Sequence, residues 1–452
     1  VSESTASSAP PSLRVALLLG GLVALTVIGS SAVAVAIPVL AADLGLDTSG
    51  SAWILAAFSL TFAIGTAVFG RLADLVGLRL PLRIGGALFA LGSLTAALAT
   101  SFPMLIAGRL VQGAGAGAVP VLVVGIIAVR FDEASRSRAL GTITAVVIAV
   151  SGSGPLIGGG LTELISWRAV LALPVVAVLL TEPVARLAPP GVRMPGGMDI
   201  RGAVLVAVAV SGGALLLQSP ATGAGPAAVL GFGLLLVAGL GLLVGHVARR
   251  PDGFLPRAVV TTWPLMAGSL AGMTLLAAYI ALLFAVPTLL TAERGWTPLQ
   301  VGLAMLPAAA LGAVASRVVG TVATPTRRHR IVVALALGSA GGLALAAVLP
   351  EAPLALVAGL GLSAGGFAGG QVAIIDAVPA LVAPEHRGVA LGVFNLLFFI
   401  GGTIGAAAVG GLSGPLGIPG ALGALAVLPV CGALLGTRLR AAGTPCSDSL
   451  PA

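Results

Sequence analysis

Gly70-Arg71-Leu72-Ala73-Asp74-Leu75-Val76-Gly77-Leu78-Arg79 packs three charges into ten residues and lies between two apolar runs, at about 52–70 and 82–100. A helix that crosses a bilayer needs about 20 mostly apolar residues, so the decapeptide reads as the turn between two crossings. Glycines at both ends let such a turn be tight. Asp74, placed near the start of the next helix, is expected to meet its positive dipole end and to pair with a nearby arginine. A charged cluster of this kind latches one face of a helical membrane protein in one state and frees it in another.

The rest of the chain agrees. Of 452 residues 58% are hydrophobic and only 8% charged, against about 25% charged in an ordinary globular protein, which excludes a soluble enzyme. Glycine reaches 65 residues and aromatics only 4%, a composition suited to closely packed membrane helices. The net charge of +8 carries no nucleic-acid meaning, because the arginines are scattered over short loops without interleaved aromatics. The two cysteines, Cys431 in the last apolar run and Cys446 in a polar tail, make no disulfide framework. The first apolar run is too long for a signal sequence and is expected to be a retained helix.

Breaks at Gly, Pro and charge clusters divide the chain into fourteen spans: 14–40, 52–70, 82–100, 103–129, 139–161, 164–181, 202–218, 225–247, 259–290, 298–319, 331–349, 353–382, 388–412 and 416–437. The expected fold is an all-α membrane protein: a tail (1–13), a six-helix bundle (14–181), a linker (182–201), two extra helices with a loop (202–258), a second six-helix bundle (259–437) and a tail (438–452). If 202–247 is instead a re-entrant pair, twelve true crossings result. All the basic residues are arginine. With the N-terminus inside, all but Arg109, Arg168 and Arg294 fall on the cytoplasmic side, as the positive-inside rule requires, and both termini are cytoplasmic. Trp53, Trp167 and Trp296 then sit at outer span ends and Trp263 at an inner one, where indoles prefer the headgroup layer.

A shift of about 250 residues lays Phe102–Gly108 on Ala352–Ala358, Arg136-x-x-Ala139-Leu140-Gly141 on Arg387-x-x-Ala390-Leu391-Gly392, and Gly154–Gly158 on Gly401–Gly405. Three matches in order imply two related halves around a midplane cavity. In the second half Thr324 stands where Asp74 would be, and Gly359 where Arg109 would be.

The decapeptide resembles the signature loop of the major facilitator superfamily, G-x-L-A-D-x-x-G-x-R/K, on which Gly70, Asp74, Gly77 and Arg79 are the gating residues. Arg109-Leu110-Val111-Gln112-Gly113 resembles that family's R-x-x-Q-G of the fourth helix, which implies proton coupling or substrate binding. Gly154-Pro155-Leu156-Ile157-Gly158-Gly159, with Gly141 in register and Val150 in place of a glycine, resembles its antiporter motif. With fourteen spans, these motifs make the chain similar to the fourteen-helix drug:proton antiporters over about residues 14–440. Met198-Asp199-Ile200-Arg201-Gly202 and Pro298-Leu299-Gln300-x-Gly302-Leu303 add to the likeness. The resemblance implies a bacterial plasma-membrane protein, monomeric, with a small-molecule substrate, protons as partner, the bilayer as surroundings, and no cofactor, metal or nucleic acid.

One departure matters. The first helix of the family reads like L-D-x-T-x-V-N-x-A-x-P, whereas here Ile28-Gly29-Ser30-Ser31-Ala32-Val33-Ala34 puts Gly29 in place of the acid and Ala34 in place of the amide. Asp376 is the one carboxylate that the span reading places inside the membrane, about six residues, or ~9 Å, from the inner end of span 12. Its removal as Asp376→Asn is expected to abolish gradient-driven export. Glu163 and Glu182 fall at span boundaries, and His246, His329 and His386 in inner loops. Ser30, Ser31, Gln112, Tyr279, Gln371 and Asn395 are neutral polar groups within spans, each able to bond a ligand or a neighbouring helix. A cavity so poor in charge favours neutral or weakly cationic lipophilic cargo. The expected function is secondary active export of a drug, antibiotic or secondary metabolite, with uptake or uniport of a metabolite as the alternative. An enzyme is not expected: no histidine lies in a span to serve a serine nucleophile, and there is no HExxH or cysteine metal cluster. A sensor would be expected to carry an added soluble domain.

Overall fold

Apolar runs of this length leave backbone amides no partner in lipid except their own helix, and helices are what the computed structural model contains. It describes residues 13–188, 199–220, 224–383 and 386–442. The N-terminal tail to residue 12, linker residues 189–198 and the tail from 443 lie outside the described residues.

The first bundle comprises α1 (Leu13–Leu44), α2 (Thr48–Val76), α3 (Arg79–Ala97), α4 (Phe102–Arg130), α5 (Glu133–Leu164) and a sixth crossing. That crossing is built from α6 (Trp167–Ala172), a 3-10 turn and α7 (Ala177–Leu187). Next come α8 (Ile200–Gln218), α9 (Pro226–Arg249) and the short α10 (Arg257–Val260). The second bundle holds α11 (Trp263–Arg294), α12 (Pro298–Val322), α13 (Arg328–Val348), α14 (Pro353–Ile375), the short α15 (Val378–Leu381), α16 (Arg387–Leu425) and α17 (Val427–Gly436). Among the described residues, twelve helices are long and apolar enough to cross a membrane. The last of these runs from Arg387 to Leu439 and is broken at Gly417, whose φ of 68° and ψ of 166° are non-helical and suit a residue without a Cβ.

Close packing follows the glycines. Within the first bundle, a Cβ at Gly92 would strike the backbone of Gln112, one at Gly117 the carbonyl of Phe62, and one at Gly158 the carbonyl of Ala32. These contacts run α3 antiparallel to α4, α2 parallel to α4 and α1 parallel to α5. In the second bundle Gly342 and Gly359 face each other across α13 and α14, each Cβ position 2.5 Å from the other's carbonyl oxygen. Without a hydrophobic drive between helices in lipid, such backbone approach is what holds them.

Two seams join the halves. Along one, α2 runs antiparallel to α16, with Ala52 against Gly410 and Ser59 against Gly402. Along the other, α5 meets α12 through Gly159 against Pro298 and Pro155 against Gly302. Helix α8 lies over the first seam: Gly411 abuts the carbonyl of Leu217, and Ser49 donates its hydroxyl to Gln218 Oε1 at 3.0 Å. Helix α9, outside α8, buries almost nothing in the protein and turns Leu230, Leu234, Val237 and Val244 outward.

Several sequence expectations are corrected. Residues 70–79 are not a loop: α2 continues to Val76, and only Gly77 and Leu78 separate it from α3. Asp74 therefore lies in the last turn of α2, near the negative dipole end, and not at the start of α3. Its charge is met by Arg71 one turn back, at 3.7 Å. Glu182 and Arg186, assigned to the linker, are helical. Trp167 stands at a helix end as expected but is buried at 3% exposure, its indole N–H donated to Asp43. Span 12 ends at Ile375, seven residues early.

Candidate functional site

Gly108 on one flank of α4 and Gly113 and Gly117 on another let α3 and α2 come so close that backbone carbonyls surround whatever long side chain points inward between them. Arg109 is that side chain, with no exposed surface. Its Nε donates to the carbonyl of Ile54 at 2.9 Å, and Nη1 donates to the carbonyl of Gly29 at 3.1 Å and to Gln112 Oε1 at 2.5 Å. Gln112 Nε2 in turn donates to Ser93 Oγ at 2.8 Å, and that hydroxyl to the carbonyl of Phe89 at 2.7 Å. One network thus ties α1, α2, α3 and α4. The guanidinium also lies 4.4 Å from the centroid of the Phe58 ring, a cation–π contact. Every one of these partners is neutral, and Nη2 has none. A buried ion without an opposite charge costs several kcal/mol even after relaxation.

Gly29 sits beside this cation for no packing reason. A Cβ there would meet only Pro174 at 3.8 Å and Gln112 Nε2 at 4.0 Å, ordinary contact distances. A helix-interior glycine costs about 0.5–1 kcal/mol relative to alanine, and here no close helix approach offsets it. Ser30 and Ser31 both turn their hydroxyls onto the carbonyl of Val27, at 2.9 and 3.5 Å, and Ser31 is buried against Gly154 of α5.

The sequence reading missed a line of aromatic rings. Tyr279 of α11 stacks on Phe367 of α14 with centroids 4.9 Å apart and planes 6° from parallel. Phe367 stacks on Phe398 of α16 at 5.7 Å, and Phe398 meets Phe399 edge-on at 5.4 Å. Phe399 crosses the seam to Phe62 of α2 at 4.5 Å, Phe62 meets Phe58 at 5.7 Å, and Phe58 faces Arg109. In a chain with 13 phenylalanines and one tyrosine, this string is a concentration. The paired Phe398-Phe399 and the helical spacing of Phe58 with Phe62 were the available signals. Tyr279, Phe367 and Phe399 are only half-buried. Asn395 is half-buried on the same helix as Phe394, Phe398 and Phe399.

The antiporter-like glycines lie at the α1–α5–α12 junction. Gly154 and Gly158 face Ser31 and Ala32 of α1, while Gly159 faces Pro298 of α12. Pro155 is buried within α5 and its carbonyl lies against Gly302. One turn beyond, Glu163 Oε2 accepts the backbone N–H of Leu299 at 3.0 Å, so a carboxylate of one half caps the first turn of a helix in the other. These contacts close the seam at its arginine-poor end.

At the arginine-rich end, Gly77 ends α2 with a φ of 80° and returns its N–H to Ala73. Arg79 Nε donates to the carbonyl of Ala188 at 2.6 Å, and Arg83 and Arg186 both donate to Glu182 at 2.9 Å. Gly70 is half-buried against Val121. His246, set aside in the sequence reading, forms a buried pair with Asp199, Nε2 to Oδ2 2.7 Å. Asp199 caps α8 through the Gly202 N–H and also accepts the Phe254 N–H. Burial opposes its charge, but the Phe254 amide, His246 and the Gly202 amide outweigh it and hold the carboxyl below its ordinary range. Asp376 is not within a span: it is the C-cap of α14 and exposed, remote from any contact with Arg109. Among the described residues no His, Cys, Asp and Glu group is arranged to hold a metal ion.

The model of the Major Facilitator Superfamily matches residues 19–405, with a further match over 268–449. Cephamycin export protein CmcT of Amycolatopsis lactamdurans is 32% identical over 411 residues, covering 85% of this chain and 82% of that one. Multidrug resistance protein Stp of Mycobacterium tuberculosis (strain ATCC 25618 / H37Rv) is 30% identical over 386 residues, 83% and 71% of the two chains. Among solved structures, the POT family transporter PepTSo superposes with a TM-score of 0.69 at 14% identity, over 96% of this chain and 99% of that one. A bacterial homolog of the human lysosomal transporter Spinster, inward-facing and unoccupied, gives 0.65 at 16% identity over 95% and 97%. At these identities the structures speak for the fold alone, which is the one described above. With its paired bundles, its glycine-built seams and a family match that spans most of its length, the chain belongs to the Major Facilitator Superfamily.

Proposed function

We propose that this chain exports small lipophilic organic compounds across the bacterial plasma membrane by alternating access, with proton antiport as its energy source. The observation that carries the reading is the string of rings from Tyr279 to Phe58, which crosses the seam between the halves in an otherwise aromatic-poor protein. A flat apolar guest entering the seam replaces ring–ring contacts with contacts of the same kind, so parting the halves around it costs little. The relatives named for resistance or export support efflux over an enzymatic role.

On this reading the arginine-rich end is cytoplasmic, both termini included. Fourteen crossings are counted, α5 and the two arms on either side of Gly417 completing the set. The seal made by Glu163, Gly159 and Pro298 then closes the outer face, and Gly70, Asp74, Gly77 and Arg79 form the inner gate. The protein acts as a monomer, and Arg109 is the group to vary for coupling, with Asp376, exposed at the end of α14, as the comparison. The test is susceptibility profiling of a pump-deficient bacterium that expresses the chain, with and without a protonophore. Protection lost on uncoupling is expected, and no protection against any lipophilic compound counts against export.

A second reading, uniport or uptake of a metabolite without proton coupling, is favoured by one observation. Every carboxylate among the described residues lies near a helix end, and none touches Arg109. Protection that persists undiminished with the protonophore selects it.

A further inference from the structure

We infer that Arg109, with the side-chain-free flank at Gly29, is a receptor for the carboxylate of an amphipathic organic acid whose apolar body lies along the Phe58–Phe62–Phe399 rings. This deepens the export reading and rests on it. A guanidinium keeps its charge in any protein setting, and here its three acceptors are two carbonyls and an amide, with Nη2 left without a partner in a wholly buried position. An isolated buried cation is stabilised most by an anion that takes the free donors, and a planar carboxylate matches the planar fork.

The surroundings fit that ligand. Gly29, whose carbonyl takes Nη1, carries no side chain, and a Cβ there would have only Pro174 and the Arg109-bonded Gln112 within 4 Å and no helix backbone pressed on it, unlike Gly92, Gly113 and Gly117 of the same bundle, which are needed for packing. Phe58 covers one face of the guanidinium and begins the line of rings that leads across the seam. A single molecule with a flat apolar body and one carboxylate engages both elements. Arg109 is enclosed in this conformation, so the acid reaches it as the seam beside Phe62 and Phe399 parts. The cationic or neutral cargo expected from the low overall charge is thereby narrowed to anions, because among the described residues the fully buried charge inside the bundle, Arg109, is positive.

The experiment compares a lipophilic aromatic carboxylic acid with its methyl ester, matched in apolar body, using the full-length protein in nanodiscs for binding and in vesicles for transport. The acid is expected to bind at least ~10-fold more tightly than the ester. Gly29→Asp, which sets a carboxylate beside the guanidinium, is expected to erase that preference while raising the melting temperature, the latter showing that the variant is folded. Equal binding of acid and ester by the native chain overturns the inference, as does an acid preference that survives in folded Gly29→Asp. Ester transport that requires chloride, with no acid preference, also overturns it, by assigning Arg109 to a halide. Export of neutral compounds without acid preference rejects this inference and leaves the export reading standing. Acid-selective binding with no transport of either compound does the reverse.

Discussion

The α3–α4 pair of the first half and the α13–α14 pair of the second are built on one plan and filled differently. Gly92 presses on Gln112 in the first, while Gly342 presses on Gly359 in the second, where a Cβ would also come within 3.2 Å of the Leu362 side chain, each a shift of 250 residues from its counterpart. The helix approach is retained and the chemistry is not. Where the first half has Arg109 and Gln112, the second has Gly359 and Leu362, and its interior is furnished with Tyr279, Phe367, Phe394 and Phe398 instead. Packing and function are thus separable in this fold: glycines fix the distance between helices, and a few substitutions decide whether the space enclosed is polar or aromatic.

The largest effects are expected where the shared plan is broken. Gly92→Leu drives a side chain into the Gln112 backbone and should destabilise by about 3 kcal/mol or more, and Gly342→Leu should do the same in the other half. Thermal unfolding in detergent, with monodispersity, checks both, and tolerance of either would mean that the pairs are less alike than their contacts. Arg109→Leu is next. Transport should fall at least ~10-fold while the melting temperature changes little, because loss of an unpaired buried charge offsets the loss of its hydrogen bonds. The exchange Gly359→Arg, by contrast, should fail to fold, since Gly342 leaves no space there.

Glu163→Ala removes the cross-seam cap of α12. The Thr297–Gln300 capping box remains, so the expected cost is at most about 1 kcal/mol, read as greater thiol-reagent access to a cysteine placed at Leu299. The Asp199 cap, which unlike the Asp47 cap of α2 is buried and also takes the Phe254 N–H and His246, gives a pH signature. Its carboxyl is depressed in the folded state, so its contribution is complete above the ordinary value of about 3.9 and is lost as pH falls through the depressed one. Melting temperature below about pH 4 should therefore drop less steeply in Asp199→Asn than in the native chain. The smallest effect is reserved for Asp376→Asn, less than ~2-fold on transport. A larger loss would show that the exposed end of α14 takes part in coupling.

The crossings were legible because lipid imposes a minimum apolar length, and Arg109 as an interior group because a charge within such a run stands out. Boundaries were less so. The stretch from Gly70 to Val76 reads as a polar turn, yet it stays helical to Val76, with Arg71 and Asp74 paired one turn apart. Asp376 was placed too deep because the apolar residues after it extend the run, although they form only the short α15. The rings from Tyr279 to Phe58 come from four helices nearly 350 positions apart in the chain, and no local pattern announces that they meet. Gly29 was noticed as a missing acid, but that it leaves space without serving contact is a fact of three dimensions.

The break at Gly417 joins two helical arms without any intervening polar turn. Helices hinged so tightly cannot slide past one another along the membrane normal, and the second arm is keyed to α11 where Gly432 abuts Thr274. Helix α16, which forms one wall of the seam, is therefore denied a piston stroke. On the export reading its expected displacement is a tilt pivoting about that corner, with the greatest excursion at the opposite extremity, beside His386 and Arg387.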